Sequence, residues 1–125
     1  MAKRIFIIVI FILLLFSACF QCIYLKTAVD EMLSLTKDIR AAAEKKDYAA
    51  AYENACTFLD VWNRKRKTFE WLCEHEAIHK IQEAAEHTAG FAYAEVPQIH
   101  GEINELQFYL KHVVDMDAFS LENIF

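Results

Sequence analysis

Glycine and proline are almost missing from this chain, at two and one of 125 residues. A β-sandwich or a Rossmann unit needs such punctuation at every turn, so both are excluded. Disorder is excluded as well, because 56% of the residues are hydrophobic and 14% aromatic. The sequence holds no glycine-rich phosphate loop, no Ser-His-Asp order and no Cys-x-x-Cys pair outside its apolar run. Its four cysteines make no disulfide framework. Cys19 and Cys22 lie inside the apolar run, while Cys56 and Cys73 stand roughly 25 Å apart along one expected helix, beyond bridging range. Cys56 and Cys73 read as small buried apolar groups. A basic excess is also lacking: 13 Lys and Arg face 18 Asp and Glu, a net charge of −5. Three of the basic groups (Lys3, Arg4, Lys26) fall in residues 1–26, which hold no acid, so residues 27–125 are strongly acidic. An acidic domain repels phosphate backbones, and nucleic acid is not an expected partner. What remains is one small all-α domain.

The chain does have one long apolar run, Ile5 to Leu25, whose only polar members are Ser17 and Gln21. As a helix it measures about 30 Å, the thickness of a bilayer's hydrocarbon core. With Lys3 and Arg4 before it, the positive-inside rule places the N-terminus in the cytoplasm and the rest outside, as a single-pass plasma-membrane protein. The expected division is residues 1–26 as cytoplasmic start and transmembrane helix, and residues 27–125 as an extracytoplasmic helical domain. Two rivals to a retained anchor exist. A cleaved signal peptide is disfavoured by the apolar residues after Ser17-Ala18-Cys19. A lipoprotein anchored through Cys19 is suggested by Phe16-Ser17-Ala18-Cys19, although Phe16 replaces the usual aliphatic residue and no polar tether follows.

Beyond the run, helical spacing continues in phase. Leu25, Val29, Met32, Leu35 or Thr36, Ile39 and Ala43 form one stripe, so the first helix runs on to about Glu44 or Lys45. Asp47 is the expected N-cap of a second helix over 47–73, with the stripe Tyr48, Tyr52, Ala55, Leu59, Trp62, Arg66, Phe69 and Cys73. The five-residue jump from Cys73 to Ile78 predicts a turn near Glu74 and a third helix over 75–93, striped by Ile78, Ile81, Ala85, Thr88 and Ala92. Pro97 suits the first turn of a fourth helix over 97–114, striped by Ile99, Ile103, Leu106, Leu110 and Val113. A tail ending in Leu121, Ile124 and Phe125 is expected to fold back. Short loops make neighbours antiparallel, giving a bundle of about four helices continuous with the membrane helix. A tetratricopeptide pair is a weaker reading, as no second repeat copy is found.

Two features could carry function. The second helix is long enough to return to the membrane surface near residue 66 and overshoots by about one or two turns, which predicts a tilt or a bend. Arg64, Lys65, Arg66, Lys67 and Trp71 would then meet lipid headgroups, with Trp62 and Phe69 in the core. The other is His75-Glu76-Ala77-Ile78-His79, an H-E-x-x-H motif whose histidines bind zinc in metalloproteases while the glutamate activates water. Against that role, it opens a helix, faces solvent on a helical wheel and lacks an evident third ligand. The plainer reading is a helix-start histidine and a dipole-pairing glutamate. The Glu102/Glu105 and Asp115/Asp117 pairs read as solvated faces. No cofactor is expected.

Several pieces together resemble one family. They are the Lys-Arg start and membrane helix, Asp47-Tyr48 with Ala51, Trp62 and Trp71, His75-Glu76, Glu105-Leu106-Gln107-Phe108-Tyr109-Leu110, and the ending Leu121-Glu122-Asn123-Ile124-Phe125. Nearly the whole chain resembles the domain-of-unknown-function family 4363, short bacterial proteins with one N-terminal membrane helix. The resemblance implies no enzymatic activity and no histidine at the position of His79. It also implies packing roles for His75, Glu76, Asn123 and Phe125. The leading expectation is a non-enzymatic, membrane-tethered interaction or scaffold module that meets membrane lipid and another membrane protein or a second copy of itself. The alternatives are a small zinc hydrolase using His75, Glu76 and His79, and the lipoprotein.

Overall fold

The computed structural model describes the backbone of residues 1–124 and the side chains of residues 1–115. It contains four helices: α1 (Ala2–Glu44), α2 (Tyr48–Leu72), α3 (His75–Ala94) and α4 (Ile99–Ile124), with no strand among the described residues. Each helix packs on the next, and α4 closes back on α1, so the four form a ring around one core.

The turns follow from local chemistry. After α1, Asp47 N–H donates to Ala42 O at 2.9 Å and Lys46 N–H to Ala43 O at 3.0 Å, with Lys46 at φ 57°. That is a Schellman closure in which lysine occupies the left-handed position glycine usually takes. Asp47 then caps α2, its carboxylate accepting the Ala50 N–H at 3.2 Å. Cys73 is extended, which breaks α2 from α3 where the stripe jumps by five residues. Glu95, at φ 57°, ends α3 with the same paired closure on Ala92 and Phe91. Val96 and Pro97 carbonyls accept the first N–H groups of Ile99 and His100, leading into α4. No glycine or proline follows Gly101 to stop that helix, and it runs to Ile124, beyond the expected end at 114. The expected docking of Leu121, Ile124 and Phe125 concerns side chains outside the described residues.

The stripes of α1, α3 and α4 are buried as their spacing predicts. α2 requires a correction. Its buried line is Ala51, Ala55, Phe58, Trp62 and Phe69, whereas Tyr52 is 41% exposed and Arg66 points to solvent. The helix packs against both α1 and α3. Its inner arc is therefore centred one position away from the line through Tyr52, Leu59 and Arg66. Small Ala51 sits at the close approach, and the bulk of Phe58 fills the core.

Polar links tie the helices in pairs. Buried Thr36 on α1 accepts Gln107 Nε2 of α4 at 3.0 Å, and Gln107 Oε1 and Asn104 Oδ1 accept from Arg40. Trp62 Nε1 of α2 donates to Gln82 of α3. The apolar first turns of α1, Ile5 to Leu14, lie outside this packing. The helix is long and apolar enough to cross a membrane by length and composition, a description a signal sequence also meets, and Ile5 to Leu14 are exposed.

Candidate functional site

The α2–α3 turn lies at the end of the bundle from which the apolar half of α1 emerges. The end of α2 reaches back along α1, where Thr68 and Leu72 share a groove with Phe20, Gln21 and Tyr24. The end of α2 thus stands beside the last turns of the apolar run. The groove has a volume of about 260 Å³.

The basic turn sits just above this groove, and the structure divides its four charges. Lys65 Nζ pairs with Glu31 Oε2 of α1 at 3.1 Å, and Arg66 Nε with Glu70 Oε1 at 3.0 Å. Arg64 Nε donates to its own helix, to Asp60 O at 3.4 Å, which leaves its terminal nitrogens without a carboxylate among the described residues. Lys67 makes no ion pair or hydrogen bond there. Trp71 is 91% exposed, while Trp62 and Phe69 are buried with ring centroids 5.5 Å apart.

His75, Glu76 and His79 are all exposed on the first turns of α3. No three His, Cys, Asp or Glu side chains converge to hold a metal among the described residues. Glu76 turns toward α4, lining a cleft of about 280 Å³ with Glu74, Ala77, Lys80, Tyr109 and His112. A second cleft of about 240 Å³ follows between the same helices, where alanine at 84 leaves room and Lys80, Glu83, His87, Glu102, Glu105 and Tyr109 close the sides. Glu102 is not the solvated group its pairing with Glu105 predicts. Its side chain is only 20% exposed, and its buried Oε2 has no hydrogen bond, with His87 Nδ1 at 3.6 Å. That separation makes an ion pair only when the imidazole is protonated. His112, Tyr109 and the His87–Glu102 pair carried no local sequence signal, because α3 and α4 bring them together from distant positions.

Elsewhere, the Tyr52 and Tyr93 rings meet at a tilt of 56° with centroids 5.6 Å apart, near the opposite end. Cys56 beside the Tyr52 hydroxyl, through a hydrogen bond and its charge, pushes that phenol's pKa up.

The family described as Domain of unknown function (DUF4363) matches residues 19–124. The chain belongs to this family. The DUF4363 match takes in the groove residues of both helices, the basic turn, the α3–α4 clefts and all of α4, and leaves out residues 1–18. No curated protein and no solved structure matches the chain. The family description names no function for its members.

Proposed function

We propose that this DUF4363 protein is a non-enzymatic helical interaction module, tethered by α1 to a bacterial plasma membrane with its bundle on the outer face. The observation that carries the reading is the uncovered apolar half of α1. Ile5, Phe6, Phe11, Leu14, Phe16 and Phe20 are all more than half exposed, on every side of the helix. A helix apolar all round is stable only where something apolar surrounds it. The bundle does not supply that surrounding, and lipid does. Because α1 continues without a break into the core stripe at Leu25, a tether built this way holds the bundle at a set height and angle.

The partner-facing part of the reading rests on α4. Phe108 is 62% exposed and stacks on His112, with planes 10° apart. An aromatic held flat on a helix surface is a suitable contact for another membrane protein or a second copy.

The test is to express the full chain, wash the membranes with alkaline carbonate, and measure the zinc content of the retained protein. Retention without stoichiometric zinc supports a tethered, non-enzymatic module. Release of the intact chain overturns the tether. One zinc per chain that His79→Ala abolishes overturns the non-enzymatic part in favour of a hydrolase.

A further inference from the structure

A membrane tether gives the groove between α1 and α2 no occupant of its own, and its surroundings are unusual for a seam between two packed helices. Its α1 wall is Phe20, Gln21 and Tyr24, the last turns of the apolar run, and its α2 wall is Thr68 and Leu72. The groove is lined mainly by apolar surface, and Phe20 stands 68% exposed at its edge. If α1 crosses a bilayer along Ile5 to Leu25, this groove opens sideways at the outer boundary of the hydrocarbon layer.

The charges above it are arranged to match. Arg64 lies one helical turn from Thr68 toward the bundle, about 6 Å along the axis. Lys65 and Arg66 are neutralised by Glu31 and Glu70. Arg64 and Lys67 are the two members of the basic turn with no carboxylate partner among the described residues. The exposed indole of Trp71 stands on the same outward side, about one turn from Lys67 and two from Arg64 toward the membrane end, where tryptophan suits the headgroup level. Arg64 stands about a turn above the slot and Lys67, next to Thr68, is level with its upper edge, so an apolar slot with two uncompensated cations at and above its rim has the shape of a phospholipid: chain below, phosphate above.

We propose that this groove is a binding site for one anionic phospholipid of the membrane that α1 enters. An acyl chain lies against Phe20, Tyr24 and Leu72, and the phosphate pairs with Arg64 and Lys67. The site rests on the membrane-anchor reading and adds to it a selective lipid contact that fixes the rotation of the bundle about α1. A helix inside a plain annular shell would show no preferred side, whereas this one carries its lipid between α1 and α2.

The test uses the full chain in phosphatidylcholine vesicles containing phosphatidylglycerol with a diazirine on its acyl chain. After irradiation, adducts are mapped by mass spectrometry, and carbonate-resistant incorporation is measured in parallel. The expected result is adducts concentrated on 20–24 and 68–72 rather than spread over 5–16. Their yield should fall about thirtyfold in the Arg64→Gln, Lys67→Gln double variant, the factor two such charges near an anionic surface supply. A phosphatidylcholine probe should show the same fall with the unaltered chain, and incorporation should not change in any of these cases. Even labelling along α1, or groove labelling indifferent to both charges and headgroup, overturns the lipid site and leaves the anchor intact. So does a photoreactive residue at Leu72 that captures a protein instead of lipid in native membranes. Loss of the chain to carbonate overturns the anchor and the site together.

Discussion

Phe58 is the residue whose removal tests the packing of α2 most sharply. The four-three stripe through Tyr52, Leu59 and Arg66 passes beside it, yet its side chain is fully buried between Ala55 and Trp62 on the inner line of the helix. Phe58→Ala removes an aromatic ring from a closed core and leaves a cavity, at a cost of about 3–5 kcal/mol. For a bundle of roughly a hundred residues, where each kcal/mol moves the midpoint by about 4–8 °C, the melting temperature should fall by at least about 12 °C. Tyr52→Ala is the control. Tyr52 is 41% exposed, with Tyr93 and Cys56 beside it at the bundle surface, so its loss should lower the midpoint far less. The assay is thermal melting of the full chain in detergent micelles, followed by near-UV circular dichroism. Buried Trp62 makes that signal report on the bundle, while the apolar half of α1 stays helical in the micelle. If Tyr52→Ala proved as damaging as Phe58→Ala, α2 would be rotated from the orientation described, and the groove on its α1 side would go with it.

Three smaller changes probe other parts of the bundle. Gly90 lies inside α3 with nothing near the position of an added Cβ, so Gly90→Ala should stabilise by about 1 kcal/mol; a lower midpoint would mean that face is covered. Thr36→Val strips Gln107 Nε2 of its acceptor on α1 and should cost about 1–3 kcal/mol, much of it recovered when Gln107→Leu is added; equal losses in single and double variants would show the bond to be idle. The Tyr52 phenol should titrate above its ordinary value of 10.0, and Cys56→Ala should bring it back down, as read by phenolate absorbance. Because the folded-state pKa is the higher one, Tyr52's contribution to stability is present below the ordinary value and lost as pH rises through the raised one. An unshifted midpoint in the unaltered chain would remove the Tyr52–Cys56 contact from the account.

Much of this architecture is written in local spacing. Ile78, Ile81, Ala85, Thr88 and Ala92 are buried on α3 as their steps demand, as are Ile99, Ile103, Leu106, Leu110 and Val113 on α4. The break at Cys73 could be read because no helical step spans five residues. α2 was legible only in part. Its buried arc faces two neighbours, and adjacent Phe58 and Leu59 offer the same chemistry to either register, so burial depends on partners the spacing does not contain. The long-range pairs were not legible at all. Thr36 and Gln107 are 71 positions apart, and Lys65 meets Glu31 only because α2 returns along α1. That return also decides which of the four clustered charges stay available. A run of Arg64-Lys65-Arg66-Lys67 shows its total charge and not its neutralised half. The H-E-x-x-H motif is the opposite case: the local pattern is complete, and the fold brings no third ligand to it among the described residues.

In the proposed arrangement α1 is one rod that crosses lipid and carries the bundle to the outer side. Single-cysteine labelling in intact bacterial cells measures this directly. With the native cysteines replaced, Tyr93→Cys puts a thiol at a position 78% exposed on the bundle, and Lys3→Cys puts one before the apolar run. A maleimide that cannot cross membranes should label the first in intact cells and the second only after lysis. Labelling of Lys3→Cys alone in intact cells would invert the molecule, and labelling of neither until lysis would place the bundle inside, contradicting the account.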